Sequence, residues 1–215
     1  MGSSRKQSSN APPDRQADKR RAILEAAAEI FLDDGYPGAS MDDIAEKAVV
    51  AKQTVYAHFS NKRALFVAMA SALTNDGSDR VHKDIPQFQE GDDLEEFLTS
   101  YALRQLKVVL TPRLVRLRRL VIGEVSRFPE LGEALYSGGP GRAIASLAAT
   151  FERLVAKGAL SIGDPALAAS QFNWLVMSAP LNQAMLLGDR AIPGAAQLHK
   201  HASESVRLFL SAYRK

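Results

Sequence analysis

The chain has 215 residues, of which 46% are hydrophobic and none is cysteine, and its formal net charge is +3. This length permits one or two domains with a buried core, and the hydrophobic content excludes a disordered chain. The lack of cysteine excludes a disulfide framework, a thiol nucleophile and a cysteine-ligated zinc site. No apolar run reaches membrane-spanning length and the polar N-terminus lacks the apolar core of a signal peptide, so we expect a cytoplasmic protein without membrane contact.

The first 14 residues are polar and aperiodic, which predicts a disordered basic tail over residues 1–14. The stretch from Met1 to Arg21 holds six basic residues and two aspartates. It could be a solubilising tail or an arm that lies along DNA phosphates, and the sequence leaves both open. An apolar stripe then predicts a first helix over about 16–34, ended by Gly35.

Residues 40–66 form the pattern on which the functional interpretation depends. Ser40 is a candidate N-cap of a short second helix, with two aspartates in its first turn. Val55 and Phe59 are four residues apart and mark the buried face of a short third helix that begins near Lys52. The outward positions of that helix carry no acidic residue. Two short helices of this kind predict a helix-turn-helix that places its second helix in the DNA major groove.

The motif Thr54-Val55-Tyr56-x-His58-Phe59, followed by Asn61-Lys62-x-x-Leu65-Phe66, resembles the DNA-binding domain of the TetR family of bacterial repressors. The resemblance implies a DNA-binding domain over residues 15–73. We expect base contacts from Lys52, Gln53, Thr54 and His58, and phosphate contacts from Tyr56 and Lys62. Ser40 and Met41, at the start of the second helix, complete the candidate DNA-binding set.

The turn departs from the family pattern, which usually has Gly-Val-Ser where this chain has Val49-Val50-Ala51. Glycine takes a positive φ freely, whereas a β-branched residue does so at a cost. We therefore expect the chain to avoid that strain, with a negative φ at Val49. Ala51 cannot supply the side-chain cap that serine would give the third helix.

Polar residues between 74 and 92, with Gly77, Pro86 and Gly91, predict the boundary to a second domain over residues 74–215. Apolar periodicity there predicts a fifth helix over about 93–110, a sixth from Thr111-Pro112, a short one over 130–136, a seventh over 140–157, an eighth over 164–187, broken or bent near Pro180, and a ninth over 194–213. Ser137–Gly141 is predicted to be a loop. The predicted fold class is all-α: an N-terminal three-helix helix-turn-helix domain and a larger C-terminal helical bundle.

Residues 118–131 resemble the effector-binding domain of the AefR-like branch of TetR regulators. The resemblance implies a ligand pocket among helices five to seven and a homodimer formed by helices 8 and 9. The candidate pocket residues are Tyr101, Leu117, Phe151, Trp174 and Met177, although each could serve the core alone. Four arginines crowd the sixth helix and form a solvated face, or one of them turns inward to meet an acidic ligand: Arg113, Arg116, Arg118 and Arg119.

Catalytic and metal-binding signatures are absent from the sequence: no P-loop, nucleophile elbow or histidine cluster at metal-binding spacing occurs. We therefore expect no catalysis, cofactor or metal. The leading hypothesis is a repressor that binds double-stranded DNA at a palindromic operator as a homodimer and is released by a hydrophobic or amphipathic effector. The alternative is a helical small-molecule-binding or scaffold protein that does not bind DNA.

Overall fold

The computed structural model describes residues 15–83, 88–89 and 91–214, and all regular elements within those ranges are helical. The predicted all-α fold class is confirmed for these ranges. The predicted basic tail, residues 1–14, lies outside the described residues. The ten α-helices of the described chain are α1 (Arg15–Gly38), α2 (Met41–Lys47), α3 (Lys52–His58), α4 (Lys62–His82), α5 (Leu94–Val109), α6 (Pro112–Glu124), α7 (Pro129–Tyr136), α8 (Arg142–Ala156), α9 (Pro165–Leu187) and α10 (Ala195–Tyr213).

The chain divides into two compact units, residues 1–66 and residues 67–215, and the division falls inside α4. The sequence predicted that helical periodicity breaks after Leu73, but α4 continues to His82. Gly77 does not end α4. Its lack of a side chain allows Leu114 of α6 to pack closely against it. A Cβ atom at this position would lie 2.8 Å from Cδ1 of Leu114 on α6.

The first unit is built around an apolar cluster on α1 and the start of α4. The stripe predicted for the first helix is buried, and Phe31 packs its ring 4.7 Å from that of Phe66. Gly35 has φ 70° and interrupts α1, as its position in the sequence predicted. The segment after this break carries the chain into α2.

The second unit has its core between α5, α8, α9 and α10. Phe151, Phe172 and Phe209 meet at its centre, with ring centroids 5.0–5.8 Å apart. Residues 137–141 were predicted to be a loop, but they form a wide π-helical turn that leads directly into α8. Glycine permits this path at position 138, where a Cβ atom would lie 2.8 Å from Oδ1 of Asn75.

The α9 helix continues through Pro180, which is buried. No helix in the described ranges is long and apolar enough to span a lipid bilayer.

Candidate nucleic-acid interface and ligand cavity

The helix-turn-helix of the first unit consists of α2, a four-residue turn and α3. Ser40 caps α2 as predicted, since its Oγ accepts a hydrogen bond from the Asp43 amide at 3.1 Å. Val55 and Phe59 are buried, which confirms the predicted inner face of α3.

The turn between the two helices corrects the expectation for Val49. Its φ is +55°, and it is the non-glycine residue with positive φ in the described part of the chain. The Val49 amide donates to the Glu46 carbonyl at 3.0 Å, and the Val50 amide donates to the Ala45 carbonyl at 3.1 Å. This pair of bonds is a Schellman motif, which requires a left-handed residue at the position of Val49. The backbone bonds that close α2 therefore impose the strain, and the valine side chain, 90% exposed, has no packing that would relieve it.

Ala51 is the N-cap of α3 and has extended backbone angles. No side chain caps the helix there, as the sequence predicted. The Ala51 carbonyl accepts the Thr54 amide at 2.8 Å. The first amides of α3 are consequently available to solvent or to an anion such as a phosphate.

The outer face of α3 displays the residues predicted to contact DNA. Lys52, Gln53 and Tyr56 are exposed, and Thr54 and His58 are half-buried. Arg20 of α1 lies over the Phe59 ring at 5.3 Å, so the basic start of α1 adjoins the end of α3. Together these side chains form a polar surface that carries two basic residues and no acidic one, which suits a polyanion.

Lys52 is held by an acidic residue of α2. Its Nζ lies 2.7 Å from Oδ1 of Asp42, and both side chains are more than half exposed. The hydrogen bond that Lys52 donates to the Asp42 carboxylate, followed by the negative charge of Asp42, raises the pKa of Lys52. This ion pair must open before Lys52 can reach a base edge or a phosphate.

Neutralising Asp42 should therefore strengthen DNA binding. Asp42→Asn releases Lys52 and removes a negative charge beside the phosphates, which at such an exposed site corresponds to roughly a fivefold gain in affinity. The salt dependence of binding should steepen by about one unit. Fluorescence anisotropy on operator DNA measures both quantities. Asp43→Asn, in the same helical turn, is the matched control, and an equal gain from it would show that releasing Lys52 contributes nothing.

Two of the predicted DNA contacts have other partners in the structure. The Lys62 ammonium donates to the carbonyls of Pro37 (3.3 Å) and Ala39, and it lies 4.7 Å from the centre of the Tyr36 ring. Lys62 thus holds the α1–α2 turn, and its phosphate contact, which stays a prediction, would require it to leave these partners. The Met41 side chain is buried, so that only its backbone amide could face a phosphate. The contacts of Lys62 could not be read from helix periodicity, because they come from residues more than twenty positions away.

Lys62→Met should lower the stability of the first unit by about 1 kcal/mol, because two carbonyls lose a charged donor in a partly exposed setting. Thermal unfolding followed by circular dichroism measures the change. Lys52→Met is the complementary control, for which we expect unchanged stability and weaker DNA binding. A Lys62→Met variant with wild-type stability and a salt dependence shallower by about one unit would support the phosphate assignment.

The second unit contains a cavity of about 60 Å³ among α4, α5, α6 and α9. Its wall is mostly apolar, but four buried polar atoms in it have no hydrogen-bond partner within the described residues: Ser78 Oγ, His82 Nε2, Gln105 Oε1 and Asn173 Nδ2. The side chains of Gln105 and Asn173 are joined across the cavity wall by a 2.7 Å hydrogen bond. A largely apolar space with a few convergent polar groups is typical of a small-molecule site.

Of the five residues predicted for the pocket, Trp174 and Met177 line this cavity. Tyr101 lies at two neighbouring cavities, where burial raises the pKa of its hydroxyl, which has no hydrogen-bond partner among the described residues. Leu117 and Phe151 are fully buried, and neither lines the cavity. The polar lining was missed, although Gln105 falls within the apolar stripe of α5, and a polar residue at such a position signals a buried hydrogen-bonding group.

Comparisons with known proteins agree with this architecture. The family model described as "Bacterial regulatory proteins, tetR family" matches residues 23–69. The model described as "AefR-like transcriptional repressor, C-terminal domain" matches residues 96–215, more than half of the chain. The chain belongs to the TetR family.

Solved structures support the same assignment over nearly the whole TetR chain. A TetR-family transcriptional regulator from Mesorhizobium loti is 37% identical, with 94% of this chain and 99% of the other covered and a TM-score of 0.88. The flavonoid-responsive regulator FrrA is 30% identical, with 92% and 98% covered and a TM-score of 0.73.

Curated TetR relatives match over shorter stretches of the chain. The transcriptional activator FasR of Mycolicibacterium smegmatis is 46% identical over 52 residues, which are 24% of either protein. The tetracycline repressor of Escherichia coli is 30% identical over 95 residues, or 41% of its length. This chain therefore aligns with well under half of each of these relatives.

Proposed function

We propose that this TetR protein is a transcriptional repressor that binds a palindromic operator as a homodimer and releases it when a small amphipathic effector enters the second unit. The observation that carries the proposal is the exposed, non-acidic face of α3 on a chain that also encloses a partly polar cavity. Such a protein acts in the cytoplasm, where bacterial DNA is reached. The base contacts fall to Lys52, Gln53, Thr54 and His58, with Tyr56 and the start of α2 on phosphates.

The coupling between ligand and DNA is assigned to α4. The first residues of this helix, including Leu65 and Phe66, are core residues of the DNA-binding unit. Its last turns supply Thr74, Ser78 and His82 to the cavity wall. A ligand that displaces these turns shifts a helix on which the first unit also depends. The effector acts by binding the DNA-incompetent state more tightly than the competent one.

Binding of the full chain to the DNA upstream of its own coding region tests this function in a gel shift. We expect a discrete complex, a loss of affinity with rising salt, and protection of two half-sites about 34–36 Å apart. Lys52→Ala together with Gln53→Ala should abolish discrimination between this DNA and a scrambled duplex. If the protein bound neither DNA, the alternative of a helical small-molecule-binding protein would be favoured. A complex that increases transcription in a reconstituted assay would indicate an activator, as FasR is named.

The dimer interface is assigned to α9 and α10, which are the helices predicted from the sequence as the eighth and the ninth. Large apolar side chains on these helices are exposed in the single chain: Leu167, Trp174, Leu186, Leu187 and Leu208. A second copy of the same surface would bury them around a two-fold axis, which also matches the symmetry of a palindromic operator.

Leu186→Asp should convert the dimer to a monomer at micromolar concentration, because it places an unpaired charge in an apolar contact. Leu186 is 77% exposed, so the change should leave the fold of the single chain intact. Light scattering measures the mass and circular dichroism checks the fold. Val49→Asp, at an exposed apolar position in the first unit, is the control that should stay dimeric. A monomeric wild-type protein would refute the interface outright.

A further inference from the structure

The arginines of α6 differ in what they contact. Arg116 and Arg119 both pair with Asp189, the former at 2.9 Å. Arg118 forms no ion pair with an acidic side chain of the described chain, although it is partly buried and lines the cavity. The cavity wall includes no aspartate or glutamate. Burial lowers the pKa of the Arg118 guanidinium, but an arginine remains protonated at neutral pH.

A partly buried guanidinium that pairs with no acidic side chain of the described residues offers its donors to an anionic ligand at the cavity wall. Arg118 also lines the adjoining surface groove, together with Ile122, Trp174 and Met185. Arg118 therefore lies where the cavity and the groove meet. The planar donor fork of arginine fits a carboxylate with two parallel hydrogen bonds.

Deeper in the same cavity, Gln105 and Asn173 are 3% and 1% exposed. Their mutual hydrogen bond leaves one acceptor and one donor without partners, and it would do so equally if both amides were rotated. Ser78 Oγ adds a group that can donate and accept. A ligand hydroxyl, which both donates and accepts, satisfies this arrangement better than a group that only accepts.

Given the regulatory function proposed above, we propose that the effector is an amphipathic hydroxy acid, whose carboxylate pairs with Arg118 and whose distal hydroxyl binds the Gln105–Asn173 pair. The apolar part of the ligand lies between these two groups, against Val108, Leu114 and Met177. The cavity of about 60 Å³ is smaller than a typical pocket of several hundred Å³, so entry of the acid must separate the surrounding helices.

Calorimetric titration of the full chain tests the class of ligand without DNA. The probes are ω-hydroxyalkanoic acids of increasing chain length and hydroxyphenyl-substituted alkanoic acids, each compared with its primary amide and with the acid that lacks the hydroxyl. At least one acid should bind about 10- to 100-fold more tightly than its amide, the range expected for a charge-assisted bond in a partly buried site. Equal binding of acid and amide, or no binding of any acid, would overturn the proposal.

Variants then assign the two ends of the ligand. Arg118→Gln should remove the preference for acid over amide, Arg118→Lys should retain part of it, and Arg116→Gln on the same helix should leave it unchanged. Gln105→Leu should remove the preference for the hydroxylated acid. If Arg118→Gln does not fold, the acid-to-amide ratio of the wild-type protein and the lysine variant still decide the outcome.

Arg118 could instead meet an acidic side chain of a second copy. In that case Arg118→Gln would weaken the dimer in light scattering and leave the acid preference unchanged, which would overturn the proposal. The regulatory function is tested independently by the gel shift. If the protein binds its upstream DNA but none of the acids, only the proposed ligand class is wrong. If it binds an acid but no DNA, the proposed regulatory function is wrong.

Discussion

Replacing Val49 by glycine and Ala51 by serine should together raise the stability of the DNA-binding unit by about 2 kcal/mol. A β-branched residue in the left-handed region costs about 1–2 kcal/mol, and glycine relieves that cost while adding up to about 1 kcal/mol of chain entropy to the unfolded state. Serine at the N-cap of α3 contributes about 1 kcal/mol more, because its hydroxyl can accept an amide that alanine leaves without a side-chain partner.

Thermal and urea unfolding of the single and double variants measure these effects, and the double variant should melt several degrees higher. Val50→Gly is the matched control, since the neighbouring valine has no positive φ to relieve and glycine there should only destabilise. A melting temperature lowered by Val49→Gly would show that the valine conformation carries no strain.

Phe151→Ala should destabilise the second unit by about 3–5 kcal/mol, the cost of a large cavity in a packed core. Phe151 is fully buried, and its ring stacks on Phe209 and meets Phe172 edge-on. Neighbouring aromatic rings on two other helices cannot collapse into the space without moving those helices.

Urea denaturation followed by circular dichroism measures the loss. Trp174→Ala is the comparison at a residue that lines the cavity. Because Trp174 is 42% exposed in the single chain, its loss should cost the fold much less stability, and any loss of dimer contact is recognised by its dependence on protein concentration. If the Phe151→Ala protein were as stable as the wild type but unable to bind ligand, Phe151 would be a pocket residue, as the sequence predicted.

Sequence patterns were sufficient for the fold because each rests on a local rule. The 3.6-residue periodicity and the Thr111-Pro112 start identified helices that the structure contains. The same rules were wrong after Leu73, where α4 continues to His82 and Gly77 packs against Leu114 of α6. They also do not reveal the hydrogen bonds that Lys62 donates to the carbonyls of Pro37 and Ala39, which lie far from it in the sequence.

The turn at Val49 and the cavity show a second limit of prediction from the sequence. The expectation that Val49 would avoid strain considered the residue alone, whereas two backbone hydrogen bonds of the α2 terminus fix its conformation. The pocket residues were chosen for size and hydrophobicity, which do not separate a core side chain from a cavity wall. The more informative signal was polarity at a core position, as at Gln105 and Asn173.

The hydrogen bond between Gln105 and Asn173 also bears on how sensitive the regulator can be. This bond joins α5 to α9, and a hydroxyl that uses the remaining acceptor and donor of the pair can bind while the bond stays intact. For the hydroxy acid proposed above, Gln105 and Asn173 are then already oriented before binding, so little side-chain entropy is lost when the contact forms. Such preorganisation lowers the effector concentration at which the regulator responds.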